Sequence, residues 1–194
     1  MSERTGQQNS ISRGSSGFTL WLTGPPGAGK STLALLLRDA LCAQGLEVTL
    51  LDGDIIREQI SADLGFSKVD RDEQVRRVSE LAAQNTRSGH ATIAALVSPY
   101  RQARELARGL FRPGAFIEVH CHCPLQVLIE RDPKGMYARA LAGEIRQFTG
   151  IDDPYEAPLY PQVRVDTDIQ TPSESLQAIL GALIDAGHIQ VLGI

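Results

Sequence analysis

The chain has 194 residues, of which 42% are hydrophobic and 22% are charged, and its formal net charge is −4 at pH 7. These values fit a single globular domain with a sizeable core. They exclude a general electrostatic attraction to nucleic acid or to an anionic membrane, and no apolar run approaches the roughly 18 residues that a membrane span requires.

The N-terminal segment, residues 1–17, is polar and rich in Ser, Gly and Gln. Because it has no apolar stretch, it predicts a disordered tail rather than a secretory signal. A single domain is expected to follow over residues 18–194. The three cysteines form no disulfide framework, which favours a reducing, cytoplasmic location.

A complete phosphate-binding motif, G-x-x-x-x-G-K-[ST], occupies residues 24–31. The apolar run 18–22 predicts a strand before it, and residues 31–44 predict a helix after it. In that context loop amides and a helix N-terminus bind phosphates, which distinguishes the motif from an ordinary glycine-rich turn. We therefore predict ATP or GTP binding, with Lys30 at the β- and γ-phosphates and Ser31 on Mg²⁺. The predicted nucleotide-binding residues of the loop are Gly24, Pro25, Pro26, Gly27, Ala28, Gly29, Lys30, Ser31 and Thr32.

Strands and helices alternate along the rest of the chain. Further strands are predicted at 48–51, 91–97, 116–122 and 163–165, and helices at 73–88, 102–110, 125–130 and from a capping box at 171–174. This order predicts an α/β fold, a P-loop NTPase three-layer sandwich with a parallel sheet and helices on both faces. Residues 132–161 interrupt the order, which indicates either a lid that excludes water from the γ-phosphate or a surface insertion.

A His-Cys-His-Cys run at 120–123 lies at the end of the predicted strand 116–122. Neighbouring residues of a strand point to opposite faces, so the two histidines and the two cysteines would lie on different faces. Four ligands would then not converge on one metal ion, as a zinc site requires. We interpret the run as strand residues packed inside the protein.

Two carboxylates, Asp52 and Asp54, follow the second predicted strand. Ligands of parallel sheets bind at the carboxyl ends of strands, so both carboxylates would face the phosphate loop. One would hold Mg²⁺ through water and the other would orient an attacking hydroxyl. Alternatively, Asp52 forms an Asx-type turn with a purely structural role. The turn and the catalytic role are compatible.

Other polar and aromatic residues follow strands or lie in predicted loops. Ser98 would contact a substrate or cap the next helix. Loop arginines such as Arg57 and Arg71 would bind phosphate or sulfate through their planar guanidinium groups. Arg101, Arg104 and Arg108 share one helical face, which would form a solvated charged surface if these residues do not bind a ligand. Arg108 and Arg112 are predicted to be surface residues.

Two phenylalanines, Phe66 and Phe148, lie in predicted loops of a chain with only 5% aromatic residues. Their rings would stack on a purine base. Ordinary packing of a lid against the body of the domain is the alternative.

Together these motifs resemble the adenylyl-sulfate kinase family of P-loop kinases, over about residues 20–189. The resemblance rests on segments 51–57, 63–67, 70–77, 98–101 and 131–135, and above all on Phe-Thr-Gly-Ile-Asp-Asp-Pro-Tyr-Glu at 148–156. It implies transfer of the γ-phosphate of ATP, bound with Mg²⁺, to the 3′-hydroxyl of adenosine 5′-phosphosulfate (APS) in sulfate activation. It also implies a homodimer.

The resemblance further implies individual roles. Asp54 would orient or deprotonate the 3′-hydroxyl, Asp52 would support the metal, and Arg131 would lie near the base of ATP. Ser98 matches a serine regarded in the family as phosphorylated, although direct in-line transfer needs no protein nucleophile. APS would be bound by Asp54, Arg57, Phe66, Arg71, Gln74, Val97, Ser98, Pro99, Lys134 and Phe148.

The sequence departs from the family pattern in four places. Pro25–Pro26 stand where the family usually has Leu-Ser, and Gln74 stands where it usually has Asn. Met136 replaces a usual Leu, and Leu141 replaces a usual Arg. Since proline lacks an N–H, the phosphate loop must find its donors elsewhere. These changes affect the expected turnover rate and substrate choice rather than the fold.

Three alternative functions remain open from the sequence. The first is another small-molecule P-loop kinase, such as a gluconate- or nucleoside-type kinase. The second is a nucleotide-binding switch, since residues 67–70 (Ser-Lys-Val-Asp) loosely resemble the guanine-reading N-K-x-D motif. The third is a weakly active adenylyl-sulfate kinase that binds nucleotides and pairs with an ATP sulfurylase.

Overall fold

The structure, a computed structural model, describes residues 17–190; the tail predicted at 1–17 therefore lies outside it except for Gly17, which is buried. Five parallel strands form one sheet in the order β2-β3-β1-β4-β5. The strands are β1 (Phe18–Thr23), β2 (Val48–Asp52), β3 (Ala91–Ala95), β4 (Phe116–His122) and β5 (Val163–Asp166). The helices are α1 (Lys30–Ala43), α2 (Gly53–Gln59), α3 (Lys68–Arg87), α4 (Arg101–Arg108), α5 (Leu125–Arg131), α6 (Met136–Leu141) and α7 (Pro172–Asp185).

Alternating residues of the central strand β1 divide the core into two layers. Leu20 and Leu22 pack with α1 and α7 on one face of the sheet, whereas Trp21 packs with α3 and α4 on the other. All three side chains are fully buried. The predicted three-layer α/β sandwich is thus confirmed. Over residues 17–190, no helix is both long and apolar enough to cross a membrane.

The strand register places the ends of three strands at one level. Leu22 of β1 and Asp52 of β2 are both register partners of Ala95, the last residue of β3. The loops that follow these strands are the phosphate loop, the Asp52–Asp54 segment and residues 96–100. Their common level brings the segments with the predicted chemistry to a single edge of the sheet.

Helix α3 begins at Lys68, five residues before the predicted start at Glu73. The Ser67 side chain accepts a hydrogen bond from the Asp70 amide, and the Asp70 carboxylate accepts one from the Ser67 amide. This reciprocal pair is a capping box. The resemblance of residues 67–70 to a guanine-reading motif is therefore explained by helix capping.

Two short helices were not predicted. Helix α2 follows directly on β2, and the Asp52 carboxylate caps it by accepting a hydrogen bond from the Asp54 amide at 3.0 Å. Helix α6 lies within the segment 132–161. Both helices have seven residues or fewer, too short for a helical period to show in the sequence.

Candidate active site

The phosphate loop connects β1 to α1. Gly27 and Gly29 have φ values of 76° and 81°, which glycine adopts without steric cost. Because Pro25 and Pro26 have no N–H, the donors of the loop begin at Gly27 and continue into the first turn of α1. The two prolines therefore leave Gly27, Gly29 and the first residues of α1 as the donors for phosphate, whereas the Ala28 amide donates to the Pro25 carbonyl at 3.3 Å.

The ammonium of Lys30 is bound inside the loop itself. It donates to the carbonyl oxygens of Gly24 and Pro25, each at 2.8 Å. Burial lowers the pKa of Lys30 to about 8, and the nearby carboxylates of Asp54 and Asp52 partly oppose this shift. Phosphate oxygens would replace the two carbonyl oxygens as acceptors.

This pKa leads to a testable pH dependence. Only the ammonium form of Lys30 attracts phosphate, and it is lost as the pH rises through about 8. We expect kcat/KM for ATP to be steady near pH ~7.5 and to fall by up to about tenfold per pH unit at higher pH. Measurement should start near pH ~7.5, above the ionisation of the terminal phosphate. A flat profile to pH ~9.5 would contradict the assignment of Lys30 to the phosphates.

A hydroxyl and a carboxylate meet where the phosphate loop faces β2. The Ser31 hydroxyl donates to Oδ2 of Asp52 at 2.7 Å, while Oδ1 of Asp52 accepts from the Asp54 amide. Both groups are hard oxygen donors, the type that Mg²⁺ prefers, and both lie in the same cleft. The cap and the metal role predicted for Asp52 use different oxygens and are geometrically compatible.

Asp54 lies opposite a lysine from the segment 132–161. The Lys134 ammonium donates to Oδ2 of Asp54 at 2.6 Å, and this bond raises the pKa of Lys134. The two residues are 80 positions apart in sequence. The contact brings this segment over the end of β2, where the carboxylates lie.

Arg57 is held by α2, α3 and the loop between them. Its guanidinium donates to the carbonyl oxygen of Gly65 at 2.8 Å and to Oε1 of Gln74, and it lies 4.5 Å from the ring centroid of Phe66. The amide nitrogen of Gln74 donates to the Gly53 carbonyl at 3.2 Å. Gln74, a departure from the family pattern, thus bridges Arg57 and the first residue of α2.

Arg71 connects α3 to the segment 132–161. Its guanidinium donates to the carbonyl oxygens of Phe66, at 3.0 Å, and Gln147. Asp153 lies 3.5 Å from its Nε. Arg71 is therefore partly engaged by protein groups.

One cleft of about 360 Å³ is lined by every residue predicted to bind APS and by six residues at the phosphate loop. The latter are Pro26, Gly27, Gly29, Lys30, Ser31 and Thr32. Four residues predicted to bind ATP do not line it, namely Gly24, Pro25, Ala28 and Arg131. Ala28 is fully buried, and Arg131 donates to the carbonyl oxygen of Thr167 at 2.9 Å on another side of the loop.

Comparison with known proteins identifies the family. The profile of the adenylylsulphate kinase family matches residues 16–166. The chain belongs to the adenylylsulphate kinase family. This confirms the resemblance predicted from the motifs and makes the chain an ATP-dependent kinase, which excludes the nucleotide-binding switch.

Individual relatives agree with this family. An adenylyl-sulfate kinase of Burkholderia ambifaria is 51% identical over 166 residues, 86% of this chain and 92% of the relative. A probable bifunctional SAT/APS kinase of Sorangium cellulosum is 50% identical over 90% of this chain, which spans only 30% of that longer protein. The APS kinase of Mycobacterium tuberculosis, solved in complex with AMPPNP and APS, is 43% identical with a TM-score of 0.82, over 87% of this chain and 98% of that one.

Ser98, which the family resemblance predicts to be a phosphorylated position, is neither exposed nor a helix cap. Its side chain is buried, and its hydroxyl accepts a hydrogen bond from the Trp21 indole at 3.1 Å. Helix α4 has Tyr100 at its N-cap position, so the capping interpretation of Ser98 is wrong. The backbone of Ser98 has a φ of 38°, which is strained for a residue with a Cβ.

The solvated-surface interpretation of α4 is wrong for two of its arginines. Arg104 is only 2% exposed and forms an ion pair with Glu118 of β4, which is 3% exposed. Arg108 is half-buried and bonds the second oxygen of Glu118 at 2.7 Å. A glutamate in the first half of the mostly buried strand β4 was the available signal, because a buried carboxylate requires cationic partners.

Tyr137 was missed although it connects both halves of the cleft. Its hydroxyl donates to the Pro26 carbonyl at 2.9 Å, and its ring contacts Phe148 edge-to-face at 4.9 Å. The Asp132 carboxylate fixes the start of α6 by accepting from the Tyr137 amide at 3.0 Å. Tyr137 therefore links the phosphate loop to an aromatic ring on the APS side.

We expect Tyr137→Phe to raise KM for both ATP and APS by about three- to tenfold, the worth of one lost hydrogen bond. The ring remains against Phe148, so folding should be preserved. Steady-state kinetics with each substrate varied in turn would measure this. The matched control is Tyr160→Phe, since Tyr160 is 87% exposed. If Tyr137→Phe matched this control, the hydroxyl would have no part in shaping the site.

Proposed function

We propose that the chain transfers the γ-phosphate of ATP to the 3′-hydroxyl of APS, yielding ADP and 3′-phosphoadenosine 5′-phosphosulfate. One observation carries the proposal. The Asp54 carboxylate lies in the same cleft as the phosphate loop and the predicted APS-binding residues. An acceptor hydroxyl placed at Asp54 would thus face a phosphate placed at Lys30.

The phosphate loop would bind ATP by exchanging acceptors. Lys30 would release the carbonyl oxygens of Gly24 and Pro25 and bind the β- and γ-phosphates. The loop amides from Gly27 onward would point at the same anion, reinforced by the N-terminus of α1. This exchange replaces two neutral acceptors of a buried cation by anionic ones.

Mg²⁺ fits the oxygen donors at the base of the cleft. Ser31 would ligate it directly, and Asp52 would hold it through water. When bound, Mg²⁺ neutralises charge on the phosphates of ATP. The Ser31–Asp52 contact of 2.7 Å places both groups within reach of the same ion.

Asp54 would orient the 3′-hydroxyl and accept its proton as the new phosphate ester forms. Lys134 would neutralise the transferred phosphoryl group, after leaving Asp54. Since transfer is in-line, catalysis consists mostly of positioning and charge stabilisation. Ser98 serves as pocket wall in this scheme, because its hydroxyl is buried and already bonded to Trp21.

Arg57 and two aromatic rings would hold the rest of APS. Arg57 would bind the phosphosulfate, and Phe66 and Phe148 would enclose the adenine. Phe66 is 52% exposed, whereas Phe148 is 5% exposed, so only Phe66 has much freedom to move. Arg71 would contribute charge while it anchors residue 147.

The test is a direct assay. The purified chain is mixed with Mg-ATP and APS, and the 3′-phosphorylated product is detected by mass spectrometry. Adenosine 5′-phosphate, which lacks the sulfate, and gluconate serve as control acceptors. Many turnovers with APS, and none with either control acceptor, would support the proposal. If ATP bound but no product formed, the result would favour the weakly active adenylyl-sulfate kinase. Turnover of another acceptor would favour a different small-molecule kinase.

The remaining assignments are proposals of the same kind. We propose one kinase domain over residues 18–194 with residues 132–161 as its lid, acting in the cytoplasm as a homodimer. The relative that joins SAT and APS kinase in one name supports proposing ATP sulfurylase as a partner. Light scattering would test the dimer, because a homodimer would have twice the 21.0 kDa mass of the chain.

A further inference from the structure

A buried arginine lies directly behind the APS side of the cleft. Arg104 of α4 donates through Nε to Glu118 at 2.8 Å, through Nη1 to the Ser98 carbonyl at 2.6 Å, and through Nη2 to the Glu156 carbonyl at 2.7 Å. One guanidinium therefore connects the sheet, the cleft wall and the end of the segment 132–161.

The cation is held where it is by a compensating carboxylate. Glu118 bonds Arg104 through one oxygen and Arg108 through the other, and its amide donates to Gln162 at 2.8 Å. A charge buried to this degree requires such pairing. Because Nε of Arg104 is bonded to Glu118 of β4, the planar guanidinium points Nη1 and Nη2 in fixed directions relative to the sheet.

The first of these donors supports a strained turn. Ser98 has a φ of 38°, and its neighbours Val97 and Pro99 line the cleft with it. Such a backbone persists where surrounding bonds hold it. The Ser98 peptide is held at its carbonyl by Arg104 and at its side chain by Trp21.

The second donor binds the end of the segment that carries Phe148 and Asp153. The Glu156 carbonyl is bound by Arg104, while its amide donates to the Pro99 carbonyl at 2.9 Å. The neighbouring Tyr155 hydroxyl lies 3.1 Å from Thr23 Oγ1, next to the phosphate loop. Arg104 is thus the side chain that bonds both the Ser98 turn and the end of the segment 132–161, beside the direct contact from Glu156 to Pro99.

We propose that Arg104 is a positioning residue for the sulfonucleotide. It sets the Ser98 turn and the end of the segment 132–161 in the arrangement that binds APS, without touching the ligand. This inference rests on the proposed function. It goes beyond it by assigning substrate affinity to a residue outside the cleft lining.

The test is Arg104→Lys, which keeps the charge beside Glu118 but cannot reach both carbonyl oxygens. The matched control is Arg108→Lys, which perturbs the same glutamate without contacting the cleft. Both variants are expected to lower Tm. Arg104→Lys should also raise KM and Kd for APS by about tenfold and leave KM for ATP within about twofold, whereas Arg108→Lys should leave both KM values within about twofold.

A second variant, Glu118→Gln, keeps an acceptor for Nε while removing the charge that fixes Arg104. It should shift Kd for APS in the same direction by a smaller factor. A drop in Tm with unchanged APS affinity, or parallel changes for APS and ATP, would reduce Arg104 to a structural role. Wild-type protein that neither binds nor phosphorylates APS would instead overturn the proposed function itself.

Discussion

Asp54→Asn is expected to lower kcat by about 10²- to 10⁴-fold while ATP still binds. Loss of a positioned general base costs this much in other enzymes. The amide keeps the shape of the carboxylate but cannot accept the proton of the 3′-hydroxyl. Single-turnover kinetics would measure the chemical step, and calorimetry with a non-hydrolysable ATP analogue would measure binding.

Two controls separate chemistry from the loss of the contact with Lys134. Asp39→Asn makes the same change on the exposed surface of α1, where Asp39 is 66% exposed, and should leave kcat unchanged. Lys134→Gln breaks the 2.6 Å contact but keeps Asp54, so its loss of rate should be smaller. If Asp54→Asn retained wild-type kcat, Asp54 would not be the residue that activates the hydroxyl.

The fold could be predicted because its signals are local. A buried strand, a glycine-rich turn and a helix follow one another at residues 18–44, and each signal lies within a few residues of the element it defines. A predicted helix boundary differs from the observed one where a capping residue determines it, as at Ser67 before α3. Helices α2 and α6 were not predicted because each is short, begins at a carboxylate (Asp52 or Asp132) and buries only one or two side chains.

Topology alone predicts a residue of the site only where that residue follows the end of a strand; lining residues such as Phe66, Arg71 and Phe148 were predicted from the family resemblance. The parallel sheet brings Lys30, Asp54 and Ser98 to one edge, so their proximity follows from topology. The contacts between Arg104 and Glu156, or between Tyr137 and Pro26, join residues 52 and 111 positions apart. No pattern within one element encodes such pairs, and the buried ion pair of Arg104 was not predicted because its partner Glu118 lies on β4, a different element.

Phe148→Leu is expected to raise KM for APS by about five- to a hundredfold and to change KM for ATP much less. Stacking of a base on an aromatic ring is worth about 1–3 kcal/mol. Leucine retains an apolar side chain against Tyr137 but offers no π face to adenine. Varying each substrate in turn would give the two KM values, and an equal effect on both would show that the ring packs the site without stacking.

The same substitution elsewhere in the core isolates the loss of packing. Phe18 is 1% exposed and contacts His188 on the opposite side of β1 from Trp21. Phe18→Leu should therefore lower Tm at least as much as Phe148→Leu while both KM values remain within about twofold. Phe66→Leu adds a third comparison, because this exposed ring lies over Arg57. An APS-specific effect in both cleft variants but not in Phe18→Leu would assign the adenine to the space between the two rings.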